Sequence, residues 1–482
     1  MLGGTILDSK NFSLETSKFS DLDSKKVNLL LNEQLENDNS KIIVLDDDPT
    51  GVQTVHDISV YTDWNMETIR EGFLEKNKIF YILTNSRGFI VEETTKAHTE
   101  IAENIDRVGK ELGIDYFIIS RGDSTLRGHY PLETELLKNI IEKNNSYKID
   151  GEIICPFFKE GGRYTIDNVH YVKYGDELVP AGETEFAKDK TFGYNASDLC
   201  EYVEEKTEGR FKADNVVSIS LESLRNMDIN GIVKQLETVT DFNKIIVNAI
   251  DDLDLKVFCI ALYKSMKNGK HFVFRTAAAF VKAIGNISNK PLLSKDDMIT
   301  INKENGGIVV VGSHTKKTTM QLEELKKIPN IVSIEMNSDL VLEEDKLEKE
   351  VETIVSSSEK LISEGKTVVV YTKRALLVIE NDTKEDALIR SVKISNAVQS
   401  LVGNLKVSPS FVVAKGGITS SDVGTKALRV KKARVMGQIK PGIPVWETDE
   451  RSKFPNIPYI IFPGNVGEVE TLKEAVEVLI GV

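Results

Sequence analysis

The chain has 482 residues, 40% hydrophobic and 28% charged, a length and balance that call for two or three buried cores in a globular protein. Its formal net charge of -14 excludes a broad basic surface for nucleic acid, although local Arg and Lys could still receive a small anion. With no basic-then-apolar opening and no apolar run of membrane-spanning length, a cytoplasmic enzyme with no membrane partner is expected.

Residues 1–40 are polar and weakly patterned, and are expected to form an arm or short helix packed on the first domain. The segment Lys41 to Ile58, KIIVLDDDPTGVQTVHDI, then runs an apolar strand straight into three carboxylates and a Pro-Thr-Gly turn. An α/β enzyme presents acids in this way at the carboxyl edge of a parallel sheet. Further β-branched runs follow at Ile79–Leu83, Tyr116–Ser120, Glu152–Cys155, Val216–Ile219 and Lys244–Asn248. Between them Ala97, Ile101, Ile105, Val108 and Leu112 recur at helical spacing, a stripe that should cover a sheet face. The polar segment Asn286–Gly307 breaks the rhythm and is read as a linker. Beyond it strands are predicted near Ile308–Val311, Ile331–Glu335, Thr367–Tyr371, Phe411–Ala414 and Tyr459–Phe462, with helical segments between. The expected fold is α/β: two lobes with mainly parallel sheets, 41–285 and 308–482, and a cleft between them.

In the first lobe four loops that follow strands carry more polar groups than a turn needs. Asp46, Asp47, Asp48 and Thr50 follow the first strand, and Thr84, Asn85, Ser86 and Arg87 the second. Arg121, Asp123, Ser124, Thr125 and Arg127 follow the third, and Lys159, Gly162, Arg163 and Thr165 the fourth. Such loops converge on one edge of a parallel sheet, where arginine forks suit a carboxylate, and aspartates and hydroxyls suit a polyol.

In the second lobe three glycine-containing loops follow strands: GSHTKKTT at Gly312–Thr319, KGGITSSD at Lys415–Asp422 and PGNVGE at Pro463–Glu468. Glycine lets the backbone approach a phosphate, while Ser313, Thr419 and Ser420 would equally serve as helix caps. None of the three matches a Walker or Rossmann loop. The histidines have no metal-binding spacing; His98 is expected on a helix surface and His271 at a strand start. Cys155, Cys200 and Cys259 form no CxxC pair and are expected in the core.

In order, LDDDPTG, SRGDSTLRGHYPLE, GGRYTIDNVHYV, VPAGETEFAKD, FRTAAAFVKA, GGIVVVGSHTKKTT, AKGGITSSD and FPGNVGE resemble the four-carbon acid sugar kinase family from Lys41 to the C-terminus. The resemblance implies an N-terminal acid-sugar-binding domain, a C-terminal nucleotide-binding domain and transfer of the ATP γ-phosphate to a tetronate's terminal hydroxyl. By motif, the family's DDxTG falls on Asp47, Asp48, Thr50 and Gly51, and its DSTLRGN on Asp123 through Gly128, with His129 in place of the final Asn. The nucleotide loops carry over onto Ser313, Gly416, Gly417, Ile418, Thr419, Gly464 and Asn465.

The function expected is thus ATP-dependent phosphorylation of a small sugar acid. Asp47 or Asp48 would orient or deprotonate the acceptor hydroxyl, and Arg87, Arg127 or Arg163 would hold the carboxylate, with Thr50, Asp123, Ser124 and Gly162 completing the substrate site. Magnesium carried with the phosphates would leave little trace in sequence. The alternatives are an NAD-linked hydroxyacid dehydrogenase, which would need a glycine fingerprint the chain lacks, and a non-catalytic sugar-acid or nucleotide sensor. A homo-oligomer is left open.

Overall fold

The computed structural model describes residues 8–375, 377, 379, 382–464 and 466–482. The chain divides into two compact α/β units. One runs up to Gly51 and resumes over Asp63–Asn289; the other comprises Val52–Thr62 and Lys290–Val482. The second division falls inside the polar 286–307 segment, while Val52–Thr62 groups with the second unit although it follows the first strand directly.

The first unit holds a parallel sheet in the order Val217–Ile219, Asn243–Val247, Gly151–Cys155, Phe272–Thr276, Tyr116–Arg121, Lys41–Asp46, Ile79–Leu83. Its central strands are buried along their whole length, which is why they read as continuous apolar runs rather than as alternating ones. Lys41–Asp46 lies between Ile79–Leu83 and Tyr116–Arg121, so the chain first steps to one side of it and then crosses to the other. That makes its carboxyl end a topological switch point, where open α/β sheets bind ligands.

The helix Val91–Leu112 buries Ala97, Ile101, Ile105 and Val108 as its periodicity predicts, and stops at Gly113, whose φ of 64° favours glycine. His98 corrects the expectation of a surface position: it lies on the buried face of this helix, 1% exposed. Within residues 8–40, Asp23 caps a helix, Ser24–Glu36, which buries Val27 and Leu31. It packs on helix Asp252–Lys267, where Lys256 donates to Asn28. A small antiparallel sheet, Lys10–Asn11, Glu177–Pro180, Val169–Tyr174 and Arg163–Ile166, completes the unit. All three cysteines are buried and free.

In the second unit, Ile331–Met336, Thr367–Thr372, Ile308–Val311, Val412–Lys415 and Pro458–Phe462 pair in parallel in that order. The helical segments expected between the last two of these strands are present at Gly417–Asp422 and Val423–Ala427. Lys432–Lys440 and Ile443–Thr448 add an unexpected antiparallel hairpin that turns through Gly442 at φ 76° and extends the sheet to Ser59–Tyr61. Met436, Ile439, Ile443 and Val445 give it a buried face that packs, with Ile460 of the adjacent strand, against Leu472, Val476 and Leu479. No helix among the described residues is long and apolar enough to cross a membrane.

Candidate functional site

The strand Lys41–Asp46 delivers its acids at the switch point. Asp46, Asp47 and Asp48 are 1%, 3% and 8% exposed, so each requires a partner or a proton. Arg121, ending the neighbouring strand, donates through Nη1 to Asp46 Oδ1 at 3.1 Å and to Asp47 Oδ1 at 3.4 Å. Asp48 pairs with Arg87 and accepts the backbone N–H of Thr50 at 2.8 Å. Gly51 is required by close approach, because a Cβ there would stand 2.0 Å from an Asp46 carboxylate oxygen.

The three acids are not equivalent. Burial pushes Asp46 up to about 7 and Asp47 up to about 6, with the neighbouring arginines offsetting only part of the effect. Burial also pushes Asp48 up, but the Arg87 charge and the Thr50 hydrogen bonds outweigh it and hold that carboxyl below its ordinary value. Asp47 Oδ2 is buried and has no hydrogen-bond partner among the described residues.

The following loops join the same network. Asp123 lies 3.5 Å from Arg87 Nη1 and accepts from Arg127 Nε at 2.7 Å, and these two cations outweigh burial to keep it ionised. Ser124 is buried, and its carbonyl oxygen lies 2.8 Å from His170 Nε2, so its contact in this structure is through the backbone. Gly162, at φ 75°, closes the turn Lys159–Gly161 and leads into Arg163. That is a backbone role. The Arg163 guanidinium lies over the Phe186 ring at 5.4 Å, with Arg127 5.2 Å from the same ring. Arg87, Arg121 and Arg127 each have an aspartate within ion-pair distance. Among the described residues Arg163 has none, and its Nε is buried without a hydrogen-bond partner.

Two further members lie within the quoted motifs FRTAAAFVKA and SRGDSTLRGHYPLE but were not singled out from sequence. Arg275, on strand Phe272–Thr276, donates to Glu133 Oε2 at 2.5 Å, to Ser120 Oγ at 3.2 Å and to the Arg127 carbonyl at 3.2 Å. Glu133 also accepts from Ser86 Oγ at 2.6 Å and lies 3.6 Å from His98 Nε2. The available signals were a lone cation in an apolar strand and an acid in the first turn of helix Leu132–Asn144.

In the second unit Gly312, Ser313, Gly416, Gly417, Ile418, Thr419 and Gly464 all line one cavity of about 450 Å³. Gly416 has φ 118°, and its N–H donates to the Phe462 carbonyl at 2.9 Å, which ties two of the glycine loops together. A Cβ built on Gly464 would meet nothing within 4 Å, so the backbone there is open to close approach. Ile418 is 75% exposed at the mouth of the cavity. Asn465 lies outside the described residues. Arg374, not singled out from sequence, donates to the Ser313 carbonyl at 2.5 Å and to Thr319 Oγ1 at 3.0 Å. Its Nε and Nη1 are buried and have no partner among the described residues.

The glycine-lined cavity, with Gly464 open to close approach, fits a phosphorylated ligand, and Arg374 stands behind it on the Ser313 carbonyl. Among the described residues no group of three or more His, Cys, Asp or Glu is placed to hold a metal ion.

Comparison with known proteins assigns both units. Residues 42–284 match the model of a sugar-binding N-terminal domain, and residues 308–472 that of a nucleotide-binding C-terminal domain. No curated protein matches the chain. Among solved structures, a Salmonella typhimurium LT2 protein bearing a provisional tRNA-synthase name is 15% identical with a TM-score of 0.64, over 90% of this chain and 98% of its own. A Haemophilus influenzae protein of the DUF1537 family is 16% identical with a TM-score of 0.57, over 91% of this chain and 100% of its own. At these identities the likeness carries the fold alone. The two domain matches, in this order and over most of the chain, carry more: the protein belongs to the DUF1537 four-carbon acid sugar kinase family.

Proposed function

We propose that the protein is an ATP-dependent kinase that phosphorylates a four-carbon sugar acid on its terminal hydroxyl. One observation carries the reading. The buried ionic network holds a carboxylate with a free oxygen, Asp47 Oδ2, and next to its Arg127, over the same Phe186 ring, stands a guanidinium without a carboxylate, Arg163. A hydroxy acid complements both: its carboxylate supplies the missing anion and a hydroxyl donates to the open oxygen.

In this reading Arg163 holds the substrate carboxylate, with Arg127 beside it on the same ring. Asp48 and Asp123, already engaged by Arg87, orient that arginine and the loop around it. Asp47 accepts the proton of the acceptor hydroxyl as the new bond to phosphorus forms. A carboxyl raised to about 6 is a better base than an ordinary aspartate and is still mostly ionised at neutral pH. The glycine loops of the second unit would hold the nucleotide phosphates by backbone N–H groups, with Arg374 adding charge. Magnesium bound to those phosphates would neutralise charge on the transferred group.

The test is ADP release from ATP and magnesium by the purified protein, run against a panel of four-carbon sugar acids. Release is expected with at least one acid, accompanied by a phosphomonoester signal in phosphorus NMR. Nucleotide binding without release across the panel would overturn the kinase reading in favour of a sensor.

A further inference from the structure

The strand Val412–Lys415 ends in a lysine that the proposed reaction does not use. Lys415 is 0% exposed, yet no carboxylate lies within ion-pair distance of it among the described residues. Its Nζ donates to the Pro463 carbonyl at 2.6 Å and to the Gly464 carbonyl at 3.1 Å, and stands 4.3 Å from the centroid of the Phe462 ring. The backbone of Lys415 leads directly into Gly416 and Gly417, so one residue ties together two of the turns that line the nucleotide cavity. A neutral amine has two N–H bonds, both used by these carbonyls, and a lone pair left over.

Removing an ammonium from water without a counter-ion is costly, and the charged group acting on Lys415 is another cation, Lys317 of helix Lys316–Leu325. Burial and that neighbour push Lys415 down to about 7. Other titratable or charged groups at the cavity are His314, held low by burial and by Arg374, and the Arg390–Asp382 ion pair. A nucleotide would change the balance, because its phosphates would bring negative charge to the far side of the turns that Lys415 holds.

Building on the nucleotide-site reading above, we propose that Lys415 is a positioning residue that takes up a proton when a nucleotide binds. The proton comes from solvent and adds to the free lone pair. The resulting ammonium holds the two carbonyls more strongly and faces the phosphates through the turns as a buried positive charge.

Titration calorimetry with ADP and magnesium at about pH 8, in buffers of different ionisation enthalpy and with no sugar acid present, tests this directly. Wild-type protein should take up on the order of one proton per nucleotide, and its affinity should fall by about tenfold as pH rises from about 7 to 9. Lys415→Met should bind roughly tenfold more weakly, with uptake abolished, whereas His314→Gln should retain it. Absent uptake in the wild type, uptake that persists in Lys415→Met, or uptake lost in His314→Gln would each overturn the proposal while leaving the nucleotide site intact. Should Lys415→Met fail to fold, the wild-type and His314→Gln measurements still decide. A wild-type protein that binds no nucleotide would overturn the site and this proposal together, whereas a failed sugar-acid panel bears on neither.

Discussion

At the scale of single residues, Asp47 and Asp48 are adjacent in sequence yet carry opposite electrostatics, because Arg87 and Thr50 are committed to one and the other has an oxygen to spare. Asp47→Asn should therefore lower kcat by roughly a hundredfold with little change in the KM for ATP, while Asp48→Asn should act mainly on sugar-acid KM through the released Arg87. In steady-state kinetics, wild-type kcat/KM should fall as pH drops through about 6, where Asp47 becomes protonated. Stability supplies a second readout of Asp47→Asn. A carboxyl whose folded value is raised stabilises the fold when protonated, and that contribution is lost as pH rises through about 6. Asn does not titrate, so in denaturant melts the variant should gain on the wild type, on the order of 1 kcal/mol, between about pH 5 and pH 8. Near-native turnover in both variants would make the Asp-Asp-Asp turn structural. The paired acids were legible in the sequence; which of them is open was not, since that depends on arginines reaching in from other loops.

At the scale of elements, the candidate sugar site is a set of loops fastened at strand ends. The Thr84 N–H donates to the Asp46 carbonyl, Asp47 N–H to that of Arg121, and Gly122 N–H to that of Thr276. Arg275 threads this assembly, and a Cβ on Gly122 or Gly128 would come within 2.3 Å or 2.5 Å of its guanidinium. Gly128 also sits at φ 127°, so Gly128→Ala combines backbone strain with a displaced arginine. We expect a loss of about 1–3 kcal/mol in stability, a raised sugar-acid KM and unchanged ADP affinity, measured by melting, kinetics and calorimetry. An unaltered sugar-acid KM would remove Arg275 from the site's support. From sequence the glycines of SRGDSTLRGHY were visible as loop formers. Their partner was not, because Arg275 lies about 150 residues downstream, in the motif FRTAAAFVKA, and nothing local in the sequence joins that motif to these glycines.

At the scale of the whole molecule, each unit should answer to its own ligand. Gly464 offers the cleanest separation, since a side chain placed there meets no protein atom within 4 Å. Gly464→Val should leave the melting temperature without ligand near that of the wild type and preserve its rise with sugar acid, but should diminish the rise with ADP. An undiminished ADP effect in thermal melts would take that loop out of the nucleotide site. The sequence by itself determined the α/β class, most parallel strands and the loops that carry polar or glycine-rich groups, because apolar periodicity and turn chemistry are local properties written in consecutive residues. It did not reveal the hairpin Lys432–Thr448, whose edge pairing with Ser59–Tyr61 joins residues far apart in the chain, or the buried face of His98. Only the tertiary structure decided which charges are paired, that Arg163 and Asp47 Oδ2 are left over, and that Lys415 is buried without an anion. Burial and ion pairing depend on groups brought together by folding, and both the cost of a buried charge and the shift of a pKa follow from that environment rather than from the residue's neighbours in sequence.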